Sequence, residues 1–177
     1  ILKRMEKFVD WKDPVDVCWW SMMTMGVYGA FRIGEITLRS WAELTPLSRR
    51  RTFRDLCFQP SEVNPIGFDL RIEASKADPF RKGHEAHIGR ASVACPVTAL
   101  QNWLEVRKGL GLESNPDDDI FVMKGRGVTR AVFLKITKKF LLKIGEDPKS
   151  FSGVSLRKGG ASAARDAGLA DSVIAAL

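Results

Sequence analysis

The sequence predicts an α+β domain that is mostly helical and carries a small antiparallel sheet. An apolar run from Val17 to Phe31 indicates a helix that is buried on all sides. Residues 66–74 alternate apolar and polar side chains, which is the period-two pattern of a strand. Residues 96–108 and 129–144 instead repeat apolar side chains at helical spacing. Because the 177 residues are 45% hydrophobic, the chain can bury a core, and we expect one domain over residues 1–177.

The first long helix is predicted to begin at Asp13-Pro14, since aspartate caps helices and proline is tolerated in the first turn. It should run to about Tyr28, with its tryptophans, its methionines and Tyr28 itself in the core. Its apolar run of 15 residues is shorter than the roughly 20 that span a bilayer, which favours a core helix. A second helix is predicted from Arg32 to about Trp41, in which Glu35 would pair with Arg32 across one turn.

Three strands are predicted in the middle of the chain. Residues 56–58 form a short strand, and residues 66–74 form a half-buried one. Turn signals follow, and residues 87–90 are predicted to return as the third strand. Lys76 falls just after the second strand, where a hairpin can extend a side chain away from the core.

The second half of the sequence predicts three helices. Residues 96–108 form the first, and residues 129–144 form the second around a stripe of apolar side chains. A different face of that second helix carries Lys135, Lys138 and Lys139. Ser155 is predicted to cap a third helix, which carries Arg157 and ends near Gly168.

Cysteine and histidine usage argues against a disulfide framework and against a metal site. Cys18, Cys57 and Cys95 are odd in number, widely spaced and without a CxxC pair, as in proteins with reduced thiols. We therefore expect an intracellular location, in the nucleus of a eukaryote or the cytoplasm of a prokaryote. His84 and His87 are the only histidines, and their spacing favours exposed surface residues over metal ligands.

The net charge of +7 is confined to one end of the chain. Residues 120–177 contain 11 of the 28 Lys and Arg residues but only 4 of the 21 Asp and Glu residues, so the charges of residues 1–119 cancel. This distribution predicts a basic face for a polyanion, with a solvated lysine-rich surface as the alternative. The candidate nucleic-acid contacts are Lys124, Arg126, Arg130, Lys135, Lys138, Lys139 and Lys158.

Two arginines in glycine-flanked phrases are candidates for one anion site. Arg32 ends an apolar run, and Arg157 follows it by 125 positions. Planar guanidinium groups can bind one phosphate with paired hydrogen bonds, so we expect the two to converge. The only tyrosine, Tyr28, lies upstream of both arginines.

Four phrases resemble the catalytic domain of tyrosine recombinases, the phage-integrase class of DNA strand-transfer enzymes. Residues 29–35 (Gly-Ala-Phe-Arg-Ile-Gly-Glu) resemble the first-arginine motif, and residues 72–79 (Ile-Glu-Ala-Ser-Lys-Ala-Asp-Pro) resemble the hairpin-lysine motif. Residues 95–100 (Cys-Pro-Val-Thr-Ala-Leu) resemble the helix that follows that hairpin. Residues 151–168 resemble the segment that bears the second arginine, usually His-x-x-Arg followed by glycine.

The resemblance implies that Arg32, Lys76 and Arg157 are catalytic residues. In the family, two arginines bind the scissile phosphate and stabilise its transition state, each such donor being worth on the order of 10²–10³ in rate. The lysine protonates the leaving oxygen, and a histidine assists as acid or base. A tyrosine attacks to give a covalent 3′-phosphotyrosine, so no metal and no other cofactor is required. The resemblance implies duplex DNA as the partner and a homo-oligomer on that DNA, with no membrane and no small-molecule substrate.

The sequence departs from the family pattern in two places. Val154 stands where the family usually has histidine, and valine can neither transfer a proton nor donate a hydrogen bond. No tyrosine follows Arg157, and we interpret the chain as a piece of a longer protein that lacks the nucleophile segment.

Several alternatives remain open at this point. The chain is either the core of a recombinase or integrase from a mobile element, or a non-catalytic, domesticated or architectural DNA-binding domain of the same fold. A basic RNA-binding domain is a weaker third option. Arg32 alone would also fit a structural arginine paired with Glu35, and Lys76 would fit a solvated hairpin lysine.

Overall fold

The computed structural model describes residues 1–41, 51–72, 83–166, 168 and 170, and over these residues the chain is α+β, as the sequence predicts. The helices are α1 (Leu2–Glu6), α2 (Pro14–Tyr28), α3 (Ile33–Ile36), α4 (Pro96–Gly109), α5 (Arg130–Lys143) and α6 (Ser155–Asp166). The strands are β1 (Leu56–Gln59), β2 (Gly67–Ile72), β3 (His84–Gly89), β4 (Val122–Met123) and β5 (Arg126–Gly127).

Helix α2 forms the centre of the core, and its prediction is confirmed. The Asp13 side chain accepts a hydrogen bond from the Val15 amide at 2.9 Å, which caps the helix. Every residue from 16 to 26 is buried. The Trp19 ring stacks on Phe140 of α5 with 4.0 Å between centroids, and its indole N–H donates to Thr137 Oγ1 at 2.9 Å. The polar atom of this buried tryptophan therefore has a partner.

Tyr28, at the end of α2, does not lie in the core, so that prediction is wrong. Its side chain is exposed, and its hydroxyl donates to the Val93 carbonyl oxygen at 2.5 Å. Tyr28 is the last residue of the helix, and Gly29 follows it as the C-cap. Partial burial raises the pKa of Tyr28, as do the charges of Cys95 and Glu6.

The predicted helix from Arg32 to Trp41 is also wrong in extent, because α3 ends at Ile36. Thr37 is extended, and Leu38 forms a parallel bridge with Thr129. The Leu38 amide donates to the Val128 carbonyl oxygen, and the Leu38 carbonyl oxygen accepts from the Arg130 amide, both at 2.9 Å. These bonds to a distant segment replace the helical hydrogen bonds that residues 37–41 would otherwise form.

The sheet has the antiparallel order β1-β2-β3. Phe58, Phe68 and Ile88 are aligned across the three strands and are buried. The prediction that β2 is half-buried is wrong, since Asp69 on its other face is buried as well, beneath His87 and Gln59. His84 and His87 are exposed, as predicted. Residues 73–82, with the predicted turn and Lys76, lie outside the described residues.

Helices α4, α5 and α6 match their predicted ranges, with a different start for α6. Ser155 is the first residue of α6, and its hydroxyl oxygen accepts from the Ser152 amide at 2.8 Å. The Ser152 carbonyl oxygen accepts in turn from the Ser155 amide at 3.1 Å. Ser155 therefore lies inside the first turn and does not cap the helix. Gly168, at φ +81°, closes the C-terminal end near the predicted position.

The three cysteines are free thiols, and within the described ranges no cluster of three His, Cys, Asp or Glu side chains could hold a metal ion. Burial raises the pKa of Cys18, whose side chain lies in the core. Within the same ranges, no helix is both long enough and apolar enough to cross a bilayer.

The Asp69–His87 pair predicts a pH-dependent stability. His87 Nδ1 lies 2.5 Å from Asp69 Oδ1, and this hydrogen bond raises the pKa of His87. Burial alone would raise the pKa of Asp69, but hydrogen bonds from His87 and Gln59 lower it. The stabilisation by His87 is present below its unfolded pKa, about 6.5, and is lost as pH rises through the raised folded value. The stabilisation by Asp69 is lost as pH falls through its lowered folded value.

We therefore expect the melting temperature of His87→Gln to lie furthest below that of the parent at about pH 5–6. The difference should shrink toward pH 9 and again toward pH 2. Thermal melts across this range measure it, with His84→Gln on the same strand as the control. A difference that is constant with pH would show that the ion pair does not contribute.

Helix α6 approaches α2 so closely that we expect Gly160→Ala to destabilise the fold. A Cβ at Gly160 would overlap the Val27 carbonyl oxygen and touch Ala30 at 3.4 Å. Overpacking of this kind costs about 1–3 kcal/mol, which urea unfolding measures. Gly159→Ala is the matched control, because a Cβ there meets nothing within 4 Å and should stabilise α6 by about 0.5–1 kcal/mol. Equal stability of the two variants would contradict the close contact.

Candidate phosphate-binding site

Arg32 lies at the start of α3, where Glu35 fixes its backbone and its side chain. The Arg32 amide donates to Glu35 Oε2 at 2.8 Å, and guanidinium Nη1 lies 3.2 Å from Glu35 Oε1. The Glu35 side chain is buried, whereas 35% of the Arg32 side chain is exposed. The predicted pairing is confirmed. It orients one edge of the guanidinium group, which has five N–H donors in all.

The segment that carries Arg157 lies directly against the segment that carries Arg32. The Ile33 amide donates to the Gly153 carbonyl oxygen at 3.4 Å. Leu156 packs over Gly26 of α2, where an added Cβ would come within 2.7 Å of Leu156 Cδ1. Arg157 follows Leu156 directly, is half-buried and lies in the first turn of α6. The fold therefore joins two phrases that are 125 positions apart in sequence.

Arg130 lies at this same junction. It is the first residue of α5, after Thr129, whose hydroxyl oxygen accepts from the Val132 amide. Arg130 Nη2 lies 2.5 Å from the position that a Cβ of Gly153 would take, and Ile33 Cγ2 lies 3.0 Å from that position. The sequence indicated Arg130 only as part of the basic surface. Its place beside Gly153 depends on a contact between distant segments, which no local pattern reveals.

The position usually held by histidine is open to solvent. Val154 lies between Gly153 and α6, and 49% of it is exposed. Its side chain supplies no proton donor or acceptor at the mouth of the site. Lys76, the third residue predicted to be catalytic, lies outside the described residues.

A short hairpin extends the basic surface from Arg130. Lys124 and Gly125 both have positive φ, +52° and +72°, which makes the two-residue turn between β4 and β5. The Arg126 guanidinium lies over the Trp41 ring at 5.6 Å, and the Trp41 indole N–H donates to the Gly127 carbonyl oxygen at 2.8 Å. Lys124 and Arg126 are exposed, as is 52% of Trp41. The hairpin thus presents two cations and an oriented aromatic ring to solvent.

The outer face of α5 carries the predicted lysines. Lys135, Lys138 and Lys139 are exposed, while Phe133 and Phe140 on the other face are buried. Lys158 is exposed on α6. The arginines at the junction of α3, α5 and α6 and these surface cations together favour an anionic ligand.

No protein-family model matches this chain, nor does any curated protein or any solved structure. The resemblance to tyrosine recombinases therefore rests on the four sequence phrases.

Proposed function

We propose that this chain is the DNA-binding catalytic-core domain of a tyrosine-recombinase-like protein, which acts in DNA breakage, rejoining and integration. Arg32 and Arg157 would bind the non-bridging oxygens of one phosphate, with Lys76 near the leaving oxygen. The observation that carries the proposal is the contact between the two arginine phrases through Ile33 and Gly153. A phosphate site made from distant segments needs such a contact, and a solvated basic surface does not.

The surface charge supports duplex DNA as the ligand. The β4–β5 hairpin precedes Arg130, and α5 begins with it. Both elements carry exposed cations beside the junction of α3, α5 and α6. Duplex DNA presents a regular row of phosphates, so a row of cations beside a single phosphate site matches its backbone. The family likeness adds a homo-oligomer on DNA, in the nucleus of a eukaryote or the cytoplasm of a prokaryote.

A non-catalytic DNA-binding domain is the second candidate, and Val154 favours it. Two arginines can stabilise the transition state, but strand cleavage also needs a nucleophile and proton transfer. The hydroxyl of Tyr28 donates to Val93, and its pKa is raised, which disfavours the nucleophilic phenolate. A solvent-exposed valine in the histidine position leaves phosphate binding intact and weakens proton transfer.

Duplex binding should depend steeply on salt. We expect a log–log slope of affinity against salt of about −0.9 per phosphate contacted. Lys135→Gln, Lys138→Gln and Lys139→Gln together should flatten this slope by up to about 0.9 per lysine removed. Fluorescence anisotropy of a labelled duplex at several salt concentrations measures the slope.

The matched control removes the same charge elsewhere. Lys7, Lys12 and Lys108 are exposed lysines in the half of the chain whose charges cancel. Replacing these three by glutamine should leave the slope nearly unchanged. Equal effects of the two triple variants would show that binding follows net charge alone, and absence of duplex binding at low salt would remove the proposed function.

The 177-residue chain should form no covalent adduct with DNA by itself. Tyr28 is its only tyrosine. The hydrogen bond from its hydroxyl to the Val93 carbonyl oxygen disfavours attack by that hydroxyl on a phosphate. A nicked suicide substrate, analysed on a denaturing gel, tests this expectation. When a tyrosine nucleophile is supplied in trans, Val154→His should increase adduct formation if Arg32 and Arg157 bind the phosphate. An adduct that survives Tyr28→Phe in the present chain would reveal a different nucleophile.

A further inference from the structure

We propose that Arg130 is a third guanidinium group on the phosphate bound by Arg32 and Arg157, and that residue 153 is glycine to leave room for it. This inference rests on the proposed function and deepens it. It assigns Arg130 to the phosphate site itself, whereas the sequence places it only among the general cations of the DNA-binding surface.

The first support is the contact between Arg130 and Gly153. Arg130 Nη2 and Cζ lie 2.5 Å and 3.1 Å from the position of an added Cβ at residue 153. The first distance is shorter than real Cβ contacts allow and the second is tighter than most of them, so the guanidinium group occupies the space that a side chain would fill. Gly153 has no positive φ in the structure, so its conformation does not require glycine. The approach of Arg130 gives a physical reason for this residue.

The second support is the backbone network that places Arg130 beside α3. Its amide donates to the Leu38 carbonyl oxygen at 2.9 Å, and the preceding Thr129 forms the bridge with Leu38. Gly153 is joined to the residue after Arg32 by the bond from the Ile33 amide. The start of α5 and the approach to α6 are thus both attached to the Arg32 segment. These bonds fix the backbone of Arg130, so its side chain starts from a defined position before a ligand binds.

The third support is the charge balance around Arg130. Glu35 pairs with Arg32, but within the described ranges no carboxylate pairs with Arg130. Arginine remains charged at any physiological pH, so cations gathered at one junction repel each other. An anion bound among them removes this repulsion. A phosphodiester gains negative charge in the transition state of strand transfer, and a third planar donor would stabilise that charge.

The experiment compares two ligands that separate the phosphate site from the extended surface. Inorganic phosphate, titrated by NMR at low salt, reports the site alone. A labelled duplex, titrated at several salt concentrations, reports the whole surface. Arg130→Gln should weaken inorganic phosphate binding roughly tenfold. Arg130→Lys keeps the charge but loses the planar fork, and its affinity should lie between those of the parent and Arg130→Gln.

Gly153→Ala tests the position of Arg130 without changing any charge. The added methyl group must displace the flexible end of Arg130, so phosphate affinity should fall severalfold while the salt slope for the duplex stays the same. Gly159→Ala, with open space around it, is the matched glycine control and should leave phosphate affinity unchanged. Lys139→Gln should flatten the salt slope and leave phosphate affinity unchanged. Urea unfolding verifies that each variant is folded.

Two results would overturn the inference: no saturable phosphate binding by the parent chain, or phosphate affinity that is unaffected by Arg130→Gln and Gly153→Ala. Either result with salt-dependent duplex binding intact would remove the role of Arg130 and leave the proposed DNA-binding function standing. Loss of duplex binding by the parent chain itself would instead contradict the proposed function.

Discussion

The arrangement of this domain depends on the burial of residues 16–26 of α2 on every side of the helix. A helix with apolar side chains on every face must be covered on every face, and α4, α5 and α6 each pack against it. Two glycines make the contact with α6 close: Gly26 on α2 leaves room for Leu156, and Gly160 on α6 lies against the Val27 carbonyl. These are packing contacts, but they bring the first turn of α6 to the end of α2. Since α3 follows that end directly, the packing of the core also places the Arg157 segment beside Arg32.

The packing of the core thus sets the geometry of the candidate site, and side chains at the ends of three helices supply its positive charge. Arg32 precedes α3, Arg130 begins α5, and Arg157 lies in the first turn of α6. Side chains at helix ends escape the dense packing of helix centres, so long cations can reach solvent there while their backbones stay fixed. The buried carboxylate of Glu35 holds one of these cations in place. The outward faces of α5 and of the β4–β5 hairpin add charge around the junction without taking part in the packing.

The sequence predicted the features that depend on short-range interactions, and it missed those that depend on contacts between distant segments. Helices α2, α4 and α5 were predicted because capping and periodicity are local, and Asp13 and Thr129 cap their helices through bonds of two or three residues. The predicted helix after Arg32 stops at Ile36 because Leu38 bonds to a segment some 90 residues away, as the bridge to Thr129 shows. Asp69 is buried because two neighbouring strands cover it. For the same reason, the two arginine phrases were recognised from their local sequence, whereas the contact of Arg130 with Gly153 was not predicted. A contact between two distant chain segments produces no periodic pattern in the sequence of either segment.

In the proposed site, phosphate binding and proton transfer would fall to separate groups, so one could be lost without the other. The three arginines depend on backbone bonds among Ile33, Leu38 and Gly153, and none of those bonds involves the side chain of residue 154. Residue 154 is exposed, so a valine in place of the histidine that the proposed family usually has would cost the fold little. A domain under selection for DNA binding alone would therefore keep its arginines and tolerate Val154. The same separation means that the proposed phosphate site depends on the packing of distant segments, whereas the group at residue 154 depends on one side chain alone.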